Sequence, residues 1–178
     1  MSQSLQEWEQ RLAALWQQID VIAPAHLVAA VDALAAERPE GDAVALFERA
    51  CVRDTSGLEA EAEPLYQAAL ASASLDPYRQ ARASIQLGSS LRLLGQLDES
   101  ERLISAQLQR YADPVYGTAL HDETRAILAL TYLAQGRAVE AACLALTTLA
   151  PHLSRYNRSV AGNAAEILKN AALASSWS

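Results

Sequence analysis

Few residues in this chain are of a type and spacing that could do chemistry. His121-Asp122-Glu123 sets an imidazole beside two carboxylates, a combination able to hold a metal or move a proton. Asp98, Glu99 and Glu101 form an acidic cluster that a cation could use. Each has a plainer reading. Acidic residues gather in the first turn of a helix because the helix dipole favours negative charge there, and both stretches look like helix starts. His26, His121 and His152 fall in three separate regions of the sequence, and no pair stands at metal-ligand spacing. Cys51 and Cys143 also lie far apart and read as small buried apolar residues. Asn157-Arg158-Ser159 has the form of a glycosylation acceptor, which carries no meaning without a secretory signal. No glycine-rich phosphate loop or serine elbow is present. The expectation is a chain that is not an enzyme, with no catalytic residues, no cofactor and no metal.

Charge is the more telling chemistry. The chain has 178 residues and a formal net charge of −7, with 14 basic and 21 acidic side chains. Such acidity argues against sequence-independent nucleic-acid binding, which works by neutralising phosphates. The distribution is uneven: residues 1–64 hold 12 acids and 4 bases, and residues 65–178 hold 9 acids and 10 bases. Lys169 is the only lysine, so nearly all positive charge is guanidinium, which can grip a carboxylate with two parallel hydrogen bonds.

The elements that would position these groups are helices. A hydrophobic fraction of 51% is ample for a core. No apolar run is long enough to span a bilayer, and the first residues lack a secretory pattern, so the expected compartment is the cytoplasm, with no membrane partner. Ser4 with Glu7 has the form of a capping box. Leu5, Trp8, Leu12, Leu15, Trp16 and Ile19 then recur at three- and four-residue spacing, which predicts an amphipathic helix. Further helices are predicted from about Leu27 to Leu34, Ala43 to Thr55, Ala60 to Ala73, Pro77 to Leu94, Asp98 onward, Thr118 to Gln135, Ala138 to Ala150 and Ser154 to Ser175. That makes about nine helices and no strand. Trp177 either folds back on the last helix or frays.

Gly57, Gly95 and Gly136 each end one helix and open the next, at intervals of 38 and 41 residues. A helix–turn–helix unit repeating at this length is the sign of an α-solenoid. The phrases Leu46-Phe47-Glu48-Arg49-Ala50, Glu61-Ala62-Glu63-Pro64-Leu65-Tyr66 and Gln86-Leu87-Gly88-Ser89-Ser90-Leu91-Arg92, with Leu128-Ala129-Leu130 before Gly136-Arg137, resemble the group 5 tetratricopeptide family of small bacterial proteins. The large–small pairs fall at Leu87 and Gly88, with Ser100 and Ile104 on the partner helix; at Leu128 and Ala129, with Ala141; and at Ala50, with Ala62, Tyr66 and Ala69. Arg49 stands where a leucine is expected, which suggests a shifted or irregular helix. The resemblance covers about Ala45 to Ala150. It implies an all-α tetratricopeptide-like solenoid: an N-terminal helical extension over 1–38, three helix pairs over 39–153 and a capping helix over 154–178.

What the resemblance implies about function is a non-enzymatic scaffold that offers a concave helical groove to a protein or peptide partner, whose identity the sequence does not carry. The groove candidates are Phe47, Arg82, Ile85, Gln86, Ser89, Arg92, Arg125, Leu130, Leu133 and Arg158, an apolar strip edged with arginine, with Cys51 and Asp54 beside Phe47. The family's lysine- and asparagine-based clamp for C-terminal carboxylates is not reproduced. The alternative is a self-associating homodimer. The face formed by Leu5, Trp8, Leu12, Leu15, Trp16 and Ile19 must be covered, either by the chain's own solenoid end or by a second copy, and the charge asymmetry favours the second copy.

Overall fold

A computed structural model of the chain describes residues 5–72 and 74–175. Among the described residues there are nine α-helices and no strand: α1 (Leu5–Trp16), α2 (Pro24–Ala35), α3 (Ala43–Thr55), α4 (Glu59–Ala71), α5 (Pro77–Leu93), α6 (Leu97–Arg110), α7 (His121–Ala134), α8 (Ala138–Leu149) and α9 (Asn157–Ser175). Single 3-10 turns occupy Pro114–Tyr116 and Ala150–His152. Ser4 and Trp177 lie outside the described residues. The chain divides into two compact units, Met1–Ser90 and Leu91–Ser178.

The repeat is visible atom by atom in its turns. Gly57, Gly95 and Gly136 adopt φ of 73°, 80° and 79°. The residue after each glycine donates its N–H to a carbonyl five residues back: Leu58 to Arg53 at 2.9 Å, Gln96 to Leu91 at 2.8 Å, Arg137 to Tyr132 at 2.8 Å. Each glycine donates three residues back, to Asp54, Arg92 and Leu133. This is one helix-terminating motif built three times, and its left-handed residue is glycine because a side chain there would crowd the following carbonyl. Gly136→Ala should therefore cost about 1–2 kcal/mol, although an added Cβ would meet nothing within 4 Å. Gly162, inside α9 and equally open, is the control. Gly162→Ala should stabilise by about 0.5–1 kcal/mol, because alanine is the better helix former. Urea titrations of the two variants should move in opposite directions from wild type.

In the first unit α2 packs on α3 and α3 on α4. Ala50, Ala62, Tyr66 and Ala69 are fully buried, as the large–small pattern requires. Arg49 does not distort α3. It turns outward to Asp32 on α2 (2.8 Å), beside Arg53, which grips the same carboxylate with both terminal nitrogens (2.9 and 2.7 Å). Pro64 sits past the first turn of α4, where it removes one bond from the helical ladder. In the second unit α6 packs on α7, α7 on α8 and α8 on α9. The hydroxyls of Ser100 and Thr131, both fully buried, share a hydrogen bond of 2.9 Å across the α6–α7 contact.

Three helix starts differ from the sequence reading. α2 begins at Pro24 rather than near Leu27, with the proline in the first turn, where its missing N–H costs no intrahelical bond. α7 begins at His121 rather than Thr118, because Leu120 takes a left-handed φ of 65° and its carbonyl receives the N–H (2.9 Å) and hydroxyl (2.6 Å) of Thr124. α9 begins at Asn157 rather than Ser154, after Tyr156 at φ 64°. Non-glycine residues in this conformation leave no local sequence signal.

The N-terminal segment belongs to the first unit's core. The Trp8 indole N–H donates to the Leu34 carbonyl at 2.8 Å, and Trp8, Leu12 and Leu34 form one buried cluster against Leu15, Trp16 and Val44. Ile19 and Trp16 pack on a second cluster of Leu27, Val31 and Val52. Leu5 stays 48% exposed. α1 stops at Trp16, and a hydrogen-bonded turn carries the chain through Ile19 to α2.

Candidate partner-binding faces

In the first unit, α3 and α5 meet side chain to side chain in a regular register. The Arg82 guanidinium lies 5.1 Å from the Phe47 ring centre. Cys51 Sγ donates to Gln86 Oε1 at 3.3 Å. Ser90 Oγ donates to Asp54 Oδ1 at 3.0 Å, and Tyr66 OH reaches Asp54 Oδ2 at 3.4 Å. The three α3–α5 pairs join residues 35 or 36 apart, close to the 38-residue interval between Gly57 and Gly95. The structure thus brings Phe47 together with Arg82 and Cys51 with Gln86, as first-helix positions should. They form a seam more than an open groove. Phe47 and Cys51 are fully buried, and Arg82, Ile85, Gln86 and Ser89 are half-buried.

The electrostatics of this seam come from burial. Glu48 is buried and receives the Trp16 indole N–H at 2.9 Å. Burial pushes its carboxyl above the usual range, against the pull of Trp16, Arg82 and Arg79. Asp54 is raised for the same reason, against Ser90 and Tyr66. Burial and the charge of Glu48 push the Cys51 thiol up to about 12, so it is no nucleophile at neutral pH. Asp32 goes the other way: the hydrogen bond from Arg53 outweighs desolvation and holds it low.

A pH prediction follows from those directions. A carboxyl raised in the folded state contributes stability that is present below its unfolded pKa and lost as pH rises through its folded one. A lowered carboxyl contributes stability present above its unfolded pKa and lost as pH falls through its folded one. Glu48 and Asp54 should therefore make the first unit less stable as pH climbs from the usual carboxylate range, about 4, toward neutrality. Asp32, Asp42 and Asp76 should cost stability below that range. The thermal midpoint should peak on the acid side of neutral, and Glu48→Gln should flatten the limb above the peak. A wild-type midpoint constant from pH 5 to 7 would contradict this account.

The second unit offers an open surface. α8 packs on both α7 and α9. Between them lies an apolar cleft of about 400 Å³, walled by Leu128 and Tyr132 of α7, Cys143 and Leu144 of α8, and Ala164 and Leu168 of α9. At one end Arg125 Nε donates to Thr148 Oγ1 at 2.8 Å, and that hydroxyl is itself fixed to the Leu144 carbonyl at 2.8 Å. At the other end Arg137 binds Glu101 (2.8 Å) and Glu140 (2.6 Å) and lies 4.0 Å from the Tyr132 ring centre. The Arg137 hydrogen bond is the main cause that holds Glu140 low. At Glu101 desolvation pulls upward, but the bonds from Arg137 and Gln135 prevail and leave it low. Leu130 and Leu133 are 43% and 53% exposed on α7, Arg158 is exposed at the start of α9, and Arg92 is half-buried.

One juxtaposition was not legible in the sequence. His121 and His152 both reach Asp122, through Nδ1 at 3.3 Å and Nε2 at 2.9 Å. His121 and His152, distant in sequence, thus meet at one side chain. The two imidazoles take different oxygens of one exposed carboxylate, which is the pattern of a surface hydrogen-bond pair. Among the described residues no group of three His, Cys, Asp or Glu side chains is placed to hold a metal ion, and no helix is long and apolar enough to cross a membrane.

A family model described as tetratrico peptide repeat, of the group 5 type, matches residues 43–167. No curated protein and no solved structure matches the chain.

Proposed function

The chain belongs to the tetratricopeptide repeat family, whose members generally mediate protein–protein interactions, and from that premise we propose that it is a non-enzymatic cytoplasmic scaffold whose helical face binds a protein or peptide partner. The observation that carries this reading is the second unit's surface. Leu130 and Leu133 on α7 and Ile167 and Leu168 on α9 stand between 41% and 53% exposed, and Leu168 also walls the apolar cleft; large apolar side chains left in the open mark interaction sites. Affinity capture from a lysate, run with wild type and with a Leu130→Glu/Leu133→Glu variant, tests it. Wild type should retain one protein in stoichiometric amount, and the variant should lose it. Retention of nothing, or of the same proteins by both, counts against the proposal.

Self-association through α1 is the second reading. Trp8 and Leu12, the centre of the face that a second copy would have to use, are 3% and 5% exposed within their own unit. The ion pairs of α1 are internal too: Arg11 with Glu37 and Glu9 with Arg79. This supports a self-capping role for residues 1–38 over a dimer. Light scattering of wild type at high micromolar concentration should return the monomer mass.

A further inference from the structure

Arg125 is the one feature of the second unit's cleft that the cleft does not use. Its Nε is occupied by Thr148, which holds the guanidinium plane in place. Among the described residues no carboxylate lies within ion-pair distance of it, in a chain with half again as many acids as bases. Arg137, at the opposite end of the same cleft, binds two carboxylates. Glu140, the cleft's own acid, is the one neutralised there, so the charge left over is that of Arg125. Arg158 adds to it: it stands seven residues before the cleft residue Ala165, hence on the same side of α9, and is exposed.

The proposed scaffold reading is the base for the next step. We infer that the cleft between α7 and α9 takes a protein segment that seats a large apolar side chain against Leu128, Tyr132 and Leu168 and presents an aspartate or glutamate side chain to Arg125. Charge complementarity selects an acidic occupant, and a fixed guanidinium recognises a carboxylate's two oxygens better than a mobile cation would. Geometry sets the spacing. Arg125 and Tyr132 are seven residues apart on one face of α7, about 10 Å along the axis. The acid and the apolar anchor must therefore sit one to two turns apart if the occupant is helical, an arrangement common to amphipathic helices that dock in grooves. A cleft of about 400 Å³ suits one or two anchoring side chains, not a whole folded domain. A polyphosphate is a poor fit, because one or two arginines on a chain of net charge −7 do not offset its repulsion.

The experiment is a selection of displayed random 15-residue peptides, shown without a free C-terminus, on the full-length protein. Enriched peptides are then measured by fluorescence polarisation against wild type, Arg125→Gln, Arg125→Glu and Ala165→Trp. Ala165 is exposed at the cleft, so the indole fills space without entering the core; circular dichroism confirms that each variant is folded. Enriched peptides should carry an apolar residue three to seven positions from an Asp or Glu. Binding should fall at least 10-fold with Arg125→Glu or Ala165→Trp and less with Arg125→Gln. Changing the peptide's acid to lysine should weaken binding to wild type and restore part of it to Arg125→Glu. Selected peptides that lack acids, or that ignore all three variants, overturn this cleft and leave the scaffold reading standing. No enrichment at all counts against both. A wild-type dimer dissolved by Arg125→Glu would make a second copy the occupant and overturn the separate partner.

Discussion

Trp8→Ala should destabilise the first unit by about 3–5 kcal/mol, the usual cost of truncating a buried tryptophan. Trp8 is 3% exposed, packs on Leu12 and Leu34, and has an Arg38 guanidinium 5.6 Å from its ring centre. Its loss would also leave the Leu34 carbonyl without the indole donor now 2.8 Å away. The thermal midpoint should drop by roughly 10 °C or more for a unit of this size. The drop should be the same at every protein concentration, since the contact lies within one chain. A dimer that used this face would instead lose stability in proportion to dilution. Trp16→Ala should cost less, because Trp16 is only half-buried, but it strips Glu48 of its indole donor. An unchanged midpoint for Trp8→Ala, or one that shifts only at low concentration, would show that α1 is held by another molecule.

The sequence reading succeeded wherever a local rule had a local cause. Three glycines with the same φ demand predicted three turns with the same hydrogen bonds. An aspartate just before a helix is a local cap signal, and Asp42 and Asp76 each accept a backbone N–H in that way, from Ala45 and Arg79 at 3.0 and 2.9 Å. It fell short where the cause is tertiary. Leu120 and Tyr156 take left-handed conformations that nothing in their neighbours announces. The same apolar face of α1 would serve a self-cap or a dimer equally well, and only packing on α2 separates the two. Phe47 and Cys51 occupy first-helix positions as predicted, yet are buried, because α5 closes over them through Arg82 and Gln86. The candidate cleft is half legible: Arg125 stands among the groove candidates and Tyr132 and Leu168 do not, because the void between α7 and α9 depends on how α8 spaces them.

Replacing Gln107 with leucine should stabilise the second unit by about 1–3 kcal/mol, the desolvation cost of a buried polar group left unpaired. Gln107 is 1% exposed on the face of α6 that also carries Ser100 and Ile104. Its Oε1 and Nε2 are both buried and find no hydrogen-bond partner among the described residues. Ser100, one face-repeat earlier, shows the contrast: its hydroxyl is as deeply buried but bonded to Thr131. A buried amide is tolerated in a native fold only when it is paired or when its cost is offset elsewhere. Leucine has nearly the same volume and removes both polar atoms, so packing should survive the change. Gln107→Glu sharpens the test, because it adds a charge to the same buried position and should destabilise. Urea midpoints ranked leucine, wild type, glutamate would establish an uncompensated amide. Leucine at or below wild type would show that the amide is satisfied in solution, with a bridging water as the simplest partner.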